Sequence, residues 1–114
     1  MNDIIKHFPN DFPMHLINKG YSLVPIGVSE MVWKFTDAIE IINFLANQGY
    51  PILGGDVYLE KDNVFESTYD SWYLEKSESK NFAEESRKKA LDYIYEYAKN
   101  NGDQYFFSIV FETA

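Results

Sequence analysis

The clearest periodic pattern of apolar positions lies near the middle of the chain, where apolar residues recur every three or four positions. This spacing predicts a helix over residues 36–48, with Thr36 as its N-cap. Gly49 suits the left-handed position that follows a helix, and Pro51 prevents the helix from continuing. Because the apolar face is broad, we expect this helix to be largely buried. Its main apolar positions are Ala38, Ile41, Ile42 and Leu45.

Two other segments are also predicted to be helical. A long helix is expected over residues 82–100, where Asn81 precedes the apolar stripe and Gly102 follows it. A shorter helix is expected over residues 11–18, since Pro13 is tolerated in a first turn. The segment that follows it, 21–28, contains Pro and Gly and is expected to form an extended connection.

Three segments are typical of β-strands. Residues 52–60 and 64–74 flank a polar reversal at 61–64, which predicts a hairpin. The last segment, 105–112, is apolar at successive positions, so we expect it in the middle of a sheet. The sequence therefore predicts a single α+β domain over residues 1–114, with an antiparallel sheet of three to four strands packed by two main helices.

The first hairpin strand contains a pair of glycines, Gly54 and Gly55, which destabilise a strand interior. Such a pair indicates a β-bulge, a sharp bend or the close approach of a partner's backbone. In the second strand, alternation places Trp72 on the opposite face from Tyr69 and Tyr73. We expect Trp72 to point into the core and the two tyrosines to lie near solvent.

Composition adds a possible contact surface. Nine Tyr, nine Phe and two Trp are more aromatic side chains than a core of this size needs, and Tyr and Trp are enriched at protein interfaces. If the hairpin tyrosines are exposed beside its carboxylates, they form an acidic and aromatic patch for a partner. The candidate partner-binding residues are Asp56, Tyr58, Glu60, Tyr69, Asp70, Tyr73 and Glu75, and the residues expected to shape the motif are Gly54, Gly55 and Trp72.

The net charge narrows the class of partner. Eighteen acidic and ten basic residues give a formal charge of −8, which disfavours nucleic acid and anionic membranes and favours a basic protein. Acidity that serves only solubility remains an alternative. The chain has no cysteine, no visible secretory leader and no apolar stretch near membrane-spanning length, so a cytoplasmic location is expected.

Catalytic chemistry has little support in the sequence. The string Gly54-Gly55-Asp56 is similar to the signature of diguanylate cyclases, but it continues with Val57-Tyr58 rather than with an acidic residue and Phe. His7 and His15 are separated by prolines and show no metal-ligand spacing. We expect no catalytic residue, metal or cofactor, and we expect that the protein is not an enzyme. A small nucleotide-binding protein or enzyme that uses this turn, or a scaffold and oligomerisation module, stays open as an alternative.

Two motifs also carry a family resemblance. The string Pro51-Ile52-Leu53-Gly54-Gly55-Asp56-Val57-Tyr58, followed by Tyr69-Asp70-Ser71-Trp72-Tyr73, resembles the immunity protein 40 family of bacterial polymorphic-toxin systems. The likeness extends from about Leu16 to the C-terminus and includes Gly20-Tyr21-Ser22-Leu23. It implies a protein of contact-dependent competition that binds a cognate toxin domain and neutralises it. We expect the free protein to be a monomer or weak dimer. The resemblance implies no catalytic residues.

Overall fold

Three α-helices and six β-strands make up the computed structural model, which describes residues 8–112. The helices are α1 (Met14–Lys19), α2 (Phe35–Asn47) and α3 (Phe82–Asn101), with a 3-10 turn at Val24–Ile26. The strands are β1 (Tyr21–Ser22), β2 (Met31–Lys34), β3 (Ile52–Lys61), β4 (Val64–Tyr73), β5 (Phe106–Phe107) and β6 (Val110–Phe111). All strand pairs are antiparallel, in the spatial order β1-β2-β5-β3-β4, and β6 also pairs with β3.

The α+β class and the antiparallel sheet are confirmed, but the expected number of three to four strands was too low. The strands that the sequence pattern did not reveal, β1 and β2, have only two and four residues. Short strands carry too few positions for alternation to be recognised. Pairing with distant residues defines β2 instead, because Trp33 lies opposite Phe107.

The C-terminal segment occupies the centre of the sheet, as predicted, with β5 between β2 and β3. The segment is not one continuous strand, because β5 ends at Phe107. At the next residue, Ser108, two hydrogen bonds to Asp56 take the place of regular strand pairing. The Asp56 N–H donates to the Ser108 hydroxyl at 2.9 Å, and the Ser108 N–H donates to the Asp56 carbonyl at 3.0 Å. Beyond this point β6 pairs with β3 and with no further strand of residues 8–112, so a gap separates it from β2.

The core lies between the sheet and helices α2 and α3. Ile41, Ile42 and Leu45 of α2 are buried against Val57 and Phe107 of the sheet, which confirms the predicted buried helix. The short α1 is held to the sheet by the Trp33 indole, whose N–H donates to the Leu16 carbonyl at 2.7 Å. All three helices contribute to this one large cluster, so they cover one face of the sheet.

The helix boundaries differ slightly from the predicted ones. Helix α2 begins at Phe35 after Lys34, and no side chain caps it, so Thr36 lies inside the helix rather than at its N-cap. Helix α1 begins after Pro13, three residues later than expected. Within residues 8–112, none of the helices combines the length and the apolar content that crossing a bilayer requires.

A buried serine fastens α3 to the sheet and supplies a stability prediction. The Ser86 hydroxyl accepts from the Ile52 N–H at 2.9 Å and donates to the Ala83 carbonyl at 2.8 Å. Ser86→Ala leaves the Ile52 N–H buried without a partner, so we expect a loss of about 1–3 kcal/mol in the free energy of unfolding. Urea unfolding measures this loss, and Ser77→Ala, which removes an exposed hydroxyl, is the control. Equal unfolding midpoints for the two variants would refute the prediction.

Candidate protein-binding site

The hairpin of β3 and β4 contains most of the candidate partner-binding residues. Its tight reversal is confirmed: Asp62 and Asn63 have φ values of 53° and 65°, which a two-residue type I′ turn requires. Strand β4 stands at the end of the strand order, and no other described strand pairs with its outer edge. The hairpin therefore presents a ten-residue edge strand.

A bulge interrupts β4 at its centre. Asp56 lies opposite Ser71 and Tyr58 opposite Ser67, so three residues of β4 face one residue of β3. The hydroxyl of Thr68, within this bulge, donates to the Val57 carbonyl at 3.0 Å. A bulge bends a strand and re-aims the side chains that it carries. Here it changes the direction of the residue at its tip, Tyr69.

Tyr69 has an unusual backbone conformation for a bulky residue. Its φ of 66° lies in the left-handed region, which costs a non-glycine residue about 1–2 kcal/mol. The Tyr69 N–H donates to the Ser67 hydroxyl at 3.0 Å, which helps to hold the turn. The side chain is nevertheless 93% exposed, so no packing of the ring offsets the strain. Backbone strain that is not offset by packing of the same residue is typical of functional positions.

The neighbouring aromatic residues lie as alternation predicted. Tyr73 is 69% exposed, whereas Trp72 is buried on the helix side and stacks on Tyr93 of α3 with ring centroids 4.9 Å apart. Tyr73 and Ser71 point to the opposite, open face of the sheet, where Asp56 also lies. Both tyrosine predictions and the prediction for Trp72 are confirmed.

The exposed patch expected from the sequence does not include Tyr58. This side chain is only 7% exposed and packs in a second small cluster with Leu23, Val32 and Phe106, on the open face of the sheet. The sequence pattern missed this because residues before β2 fold back over β3. Burial raises the pKa of Tyr58, and the nearby carboxylates of Glu30 and Asp56 raise it further.

The predicted acidic residues are divided among three places. Asp56 is half-buried on the open face, and Glu60 is exposed four residues further along β3, about 13 Å away at strand spacing. Asp70 faces α3, and Glu75 is exposed just beyond the end of β4. The structure thus brings Asp56 near Tyr73 but spreads the other carboxylates around the hairpin. We call Tyr69, Tyr73 and Asp56 together the hairpin patch, and Glu60, Asp70 and Glu75 lie around it without sharing one face.

Asp70 links the edge strand to α3 and supplies a pH prediction. The Tyr97 hydroxyl donates to the Asp70 carboxylate at 2.8 Å. Burial is the main cause that raises the pKa of Tyr97 to about 12, and this hydrogen bond is the next largest cause. A phenol whose pKa is higher in the folded state stabilises the fold below its ordinary pKa of 10.0. We therefore expect this stabilisation to be lost as the pH rises from 10.0 towards 12. Tyrosinate absorbance during an alkaline titration checks it: Asp70→Asn should lower the last tyrosine pKa, and an unchanged titration would contradict this.

The glycine pair is required by this chain's own backbone. A Cβ at Gly54, whose φ is 151°, would lie 2.3 Å from the Trp72 carbonyl oxygen. A Cβ at Gly55 would lie 2.0 Å from the Ser108 carbonyl oxygen and 2.5 Å from the Trp72 ring. The pairing of β3 with β6 also shifts between Ile52 and Gly54, so the expected irregularity is present. The atoms that approach the glycines therefore belong to this chain and not to a partner.

The residues considered for metal chemistry do not converge. Among residues 8–112, no group of three His, Cys, Asp or Glu side chains is arranged to hold a metal ion. His15 is exposed, and its Nε2 lies 2.7 Å from Glu40 Oε2. His7 lies outside the described residues. Both the N–H and the carbonyl of Asp56 are bonded to Ser108, so its backbone is occupied within the sheet.

Fold and surface together define an acidic α+β protein with an antiparallel sheet that is packed by helices on one face and open on the other. The model of the family described as immunity protein 40 matches residues 22–111. The chain therefore belongs to the immunity protein 40 family, as the two motifs indicated. None of the curated proteins compared with it shows a significant match.

Proposed function

We propose that this protein is an immunity protein that binds a cognate bacterial toxin domain and neutralises it by protein–protein contact. Membership of the immunity protein 40 family supports this class of function. The observation that carries the choice of surface is Tyr69, which is strained, 93% exposed and placed at the bulge of an edge strand. Binding energy at an interface can offset local strain that packing within the fold does not.

The hairpin patch has the properties of a binding surface for a basic protein. Tyrosine rings are frequent anchors at interface hot spots, because they bury a large area and lose few rotatable bonds. Tyr69 and Tyr73 fill this role. The carboxylates of Asp56, Glu60, Asp70 and Glu75, with the formal charge of −8, attract a cationic surface and speed its encounter.

The remaining motif residues shape this surface from below. Gly54 and Gly55 allow Trp72 and Ser108 to approach β3 closely, and Trp72 packs on α3. Tyr58 supports the open face from within the small cluster and assists the partner site indirectly. In this proposal the chain performs no chemistry: affinity alone blocks the toxin, in the cytoplasm of the cell that takes part in contact-dependent competition. The free protein is a monomer or a weak dimer.

Calorimetric titration against the toxin domain encoded beside this gene tests the proposal. We expect binding well below micromolar Kd at low salt, and an association rate that falls as salt screens the attraction. A toxin domain from an unrelated system serves as the control and should not bind. Absence of binding to the neighbouring toxin at micromolar concentration would refute the proposed function.

A further inference from the structure

The gap between β2 and β6 forms a slot that opens to solvent. Because β6 pairs with β3 and with no other described strand, the sheet is not continuous at this place. The cavity measures about 460 Å³, which is ample for one long side chain. Its lining includes Glu30, Met31, Trp33, Ser108, Ile109 and Phe111.

Aromatic rings form much of the apolar wall of this slot. Phe8 stacks on Phe111 with ring centroids 5.9 Å apart, and it lies 6.1 Å from Trp33 at a tilt of 57°. The hydrocarbon stem of a lysine or arginine side chain packs favourably on such rings, and a cation is attracted to their faces. This wall therefore suits a long side chain with an aliphatic stem and a positive head.

Glu30 provides a negative charge in the same slot. Burial raises the pKa of Glu30, and the Asp56 carboxylate raises it further, while the Ser108 hydroxyl opposes the shift. Its Oε2 is shielded from solvent and accepts no hydrogen bond from any described residue. Within residues 8–112 no lysine, arginine or histidine forms an ion pair with it. Among residues 8–112, the Glu30 carboxylate thus has no cationic partner where it lines this slot.

We propose that this slot receives a lysine or arginine side chain of the toxin, whose positive head pairs with Glu30. The inference rests on the proposed function, because it names the contact by which the basic partner is recognised. Charge complementarity supports it, and the aromatic wall favours arginine, whose planar head stacks on rings. Asp56 connects the slot with the hairpin patch through its two bonds to Ser108, so one partner surface can reach both.

Glu30→Gln tests the slot in the full chain. The substitution keeps the shape of the side chain and removes the charge that burial disfavours, so the thermal unfolding midpoint should not fall. We expect the affinity for the neighbouring toxin to decrease at least about 30-fold, the lower end of the range for truncating one partner of a desolvated charge pair. Glu85→Gln, an exposed glutamate on α3, is the matched control and should bind like the wild type.

A second measurement does not need the toxin. N-acetyl-arginine amide, N-acetyl-lysine amide and the uncharged N-acetyl-norleucine amide are titrated into the protein while its amide and indole NMR signals are followed. We expect millimolar binding of the two cations, with shifts at Ser108, Ile109 and the Trp33 indole, and no such shifts in Glu30→Gln.

The outcomes separate this inference from the proposed function. Tight toxin binding that Glu30→Gln leaves unchanged would overturn the slot contact while the proposed function stands. If the wild type does not bind the toxin, the proposed function fails and the amide titration decides on the slot. The proposed preference of the slot for a cation would then be overturned by either of two results: equal NMR shifts with N-acetyl-norleucine amide, or no shifts with the arginine and lysine amides.

Discussion

Gly55→Ala will lower the free energy of unfolding by about 3 kcal/mol, the upper part of the range for overpacking a dense core. The added Cβ would lie 2.0 Å from the Ser108 carbonyl oxygen and 2.5 Å from the Trp72 ring. Real Cβ atoms do not approach backbone oxygen so closely, so either β3 or the C-terminal segment must move. Either movement breaks the bonds between Asp56 and Ser108 that hold the centre of the sheet.

Gly49→Ala is the matched control for this experiment. Gly49 follows α2 with a φ of 83°, and a Cβ there would meet no atom within 4 Å. Only the backbone preference is lost, which costs about 1 kcal/mol. Guanidinium unfolding of both variants checks the difference. Equal losses for the two would show that close packing does not explain the glycine at position 55.

Substitution of the hairpin tyrosines is expected to weaken toxin binding strongly. Tyr69→Gly and Tyr73→Ala should each reduce the affinity about 30-fold, which corresponds to about 2 kcal/mol for a hot-spot residue. Both rings are mostly exposed in the free protein, so their removal leaves the core unchanged. Calorimetry with the neighbouring toxin domain measures the loss.

Glycine is chosen at position 69 because it separates strain from contact. A φ of 66° suits Gly and disfavours Tyr, so Tyr69→Gly should raise the free energy of unfolding by about 0.5–1 kcal/mol while it weakens binding. A variant that is more stable but binds less well identifies a residue retained for function. Tyr95→Ala, which removes a 53% exposed tyrosine on α3, is the control for binding. Wild-type affinity in both hairpin variants would place the interface elsewhere.

The elements that could be predicted from sequence are those with a long local pattern. Helices α2 and α3 carry their periodicity within 13 and 20 residues. The β3–β4 hairpin has long strands and a two-residue turn whose Asp and Asn tolerate positive φ. Alternation along β4 was sufficient to place Trp72 inside and Tyr73 outside. These predictions depend only on neighbours in the chain.

The features that the sequence concealed depend on distant contacts. Tyr58 appeared to be a surface residue, and residues more than 25 positions earlier bury it. The bulge at Tyr69 exists because β4 has more residues than β3 between two paired positions. The sequence did not indicate that Glu30 is shielded from solvent. Its carboxylate is shielded because it lies in the slot between β2 and β6, two strands that do not pair with each other.

Taken by itself, the sequence determined the α+β class, the two main helices, the hairpin and the family, because periodicity, turn chemistry and motifs are local properties. Tertiary structure alone decided that Tyr58 is buried, which backbone atoms require the glycines, and where the Glu30 carboxylate lies without a cationic partner among the described residues. Those outcomes follow from strand register and from packing between segments far apart in the chain, and no short stretch of residues specifies either one.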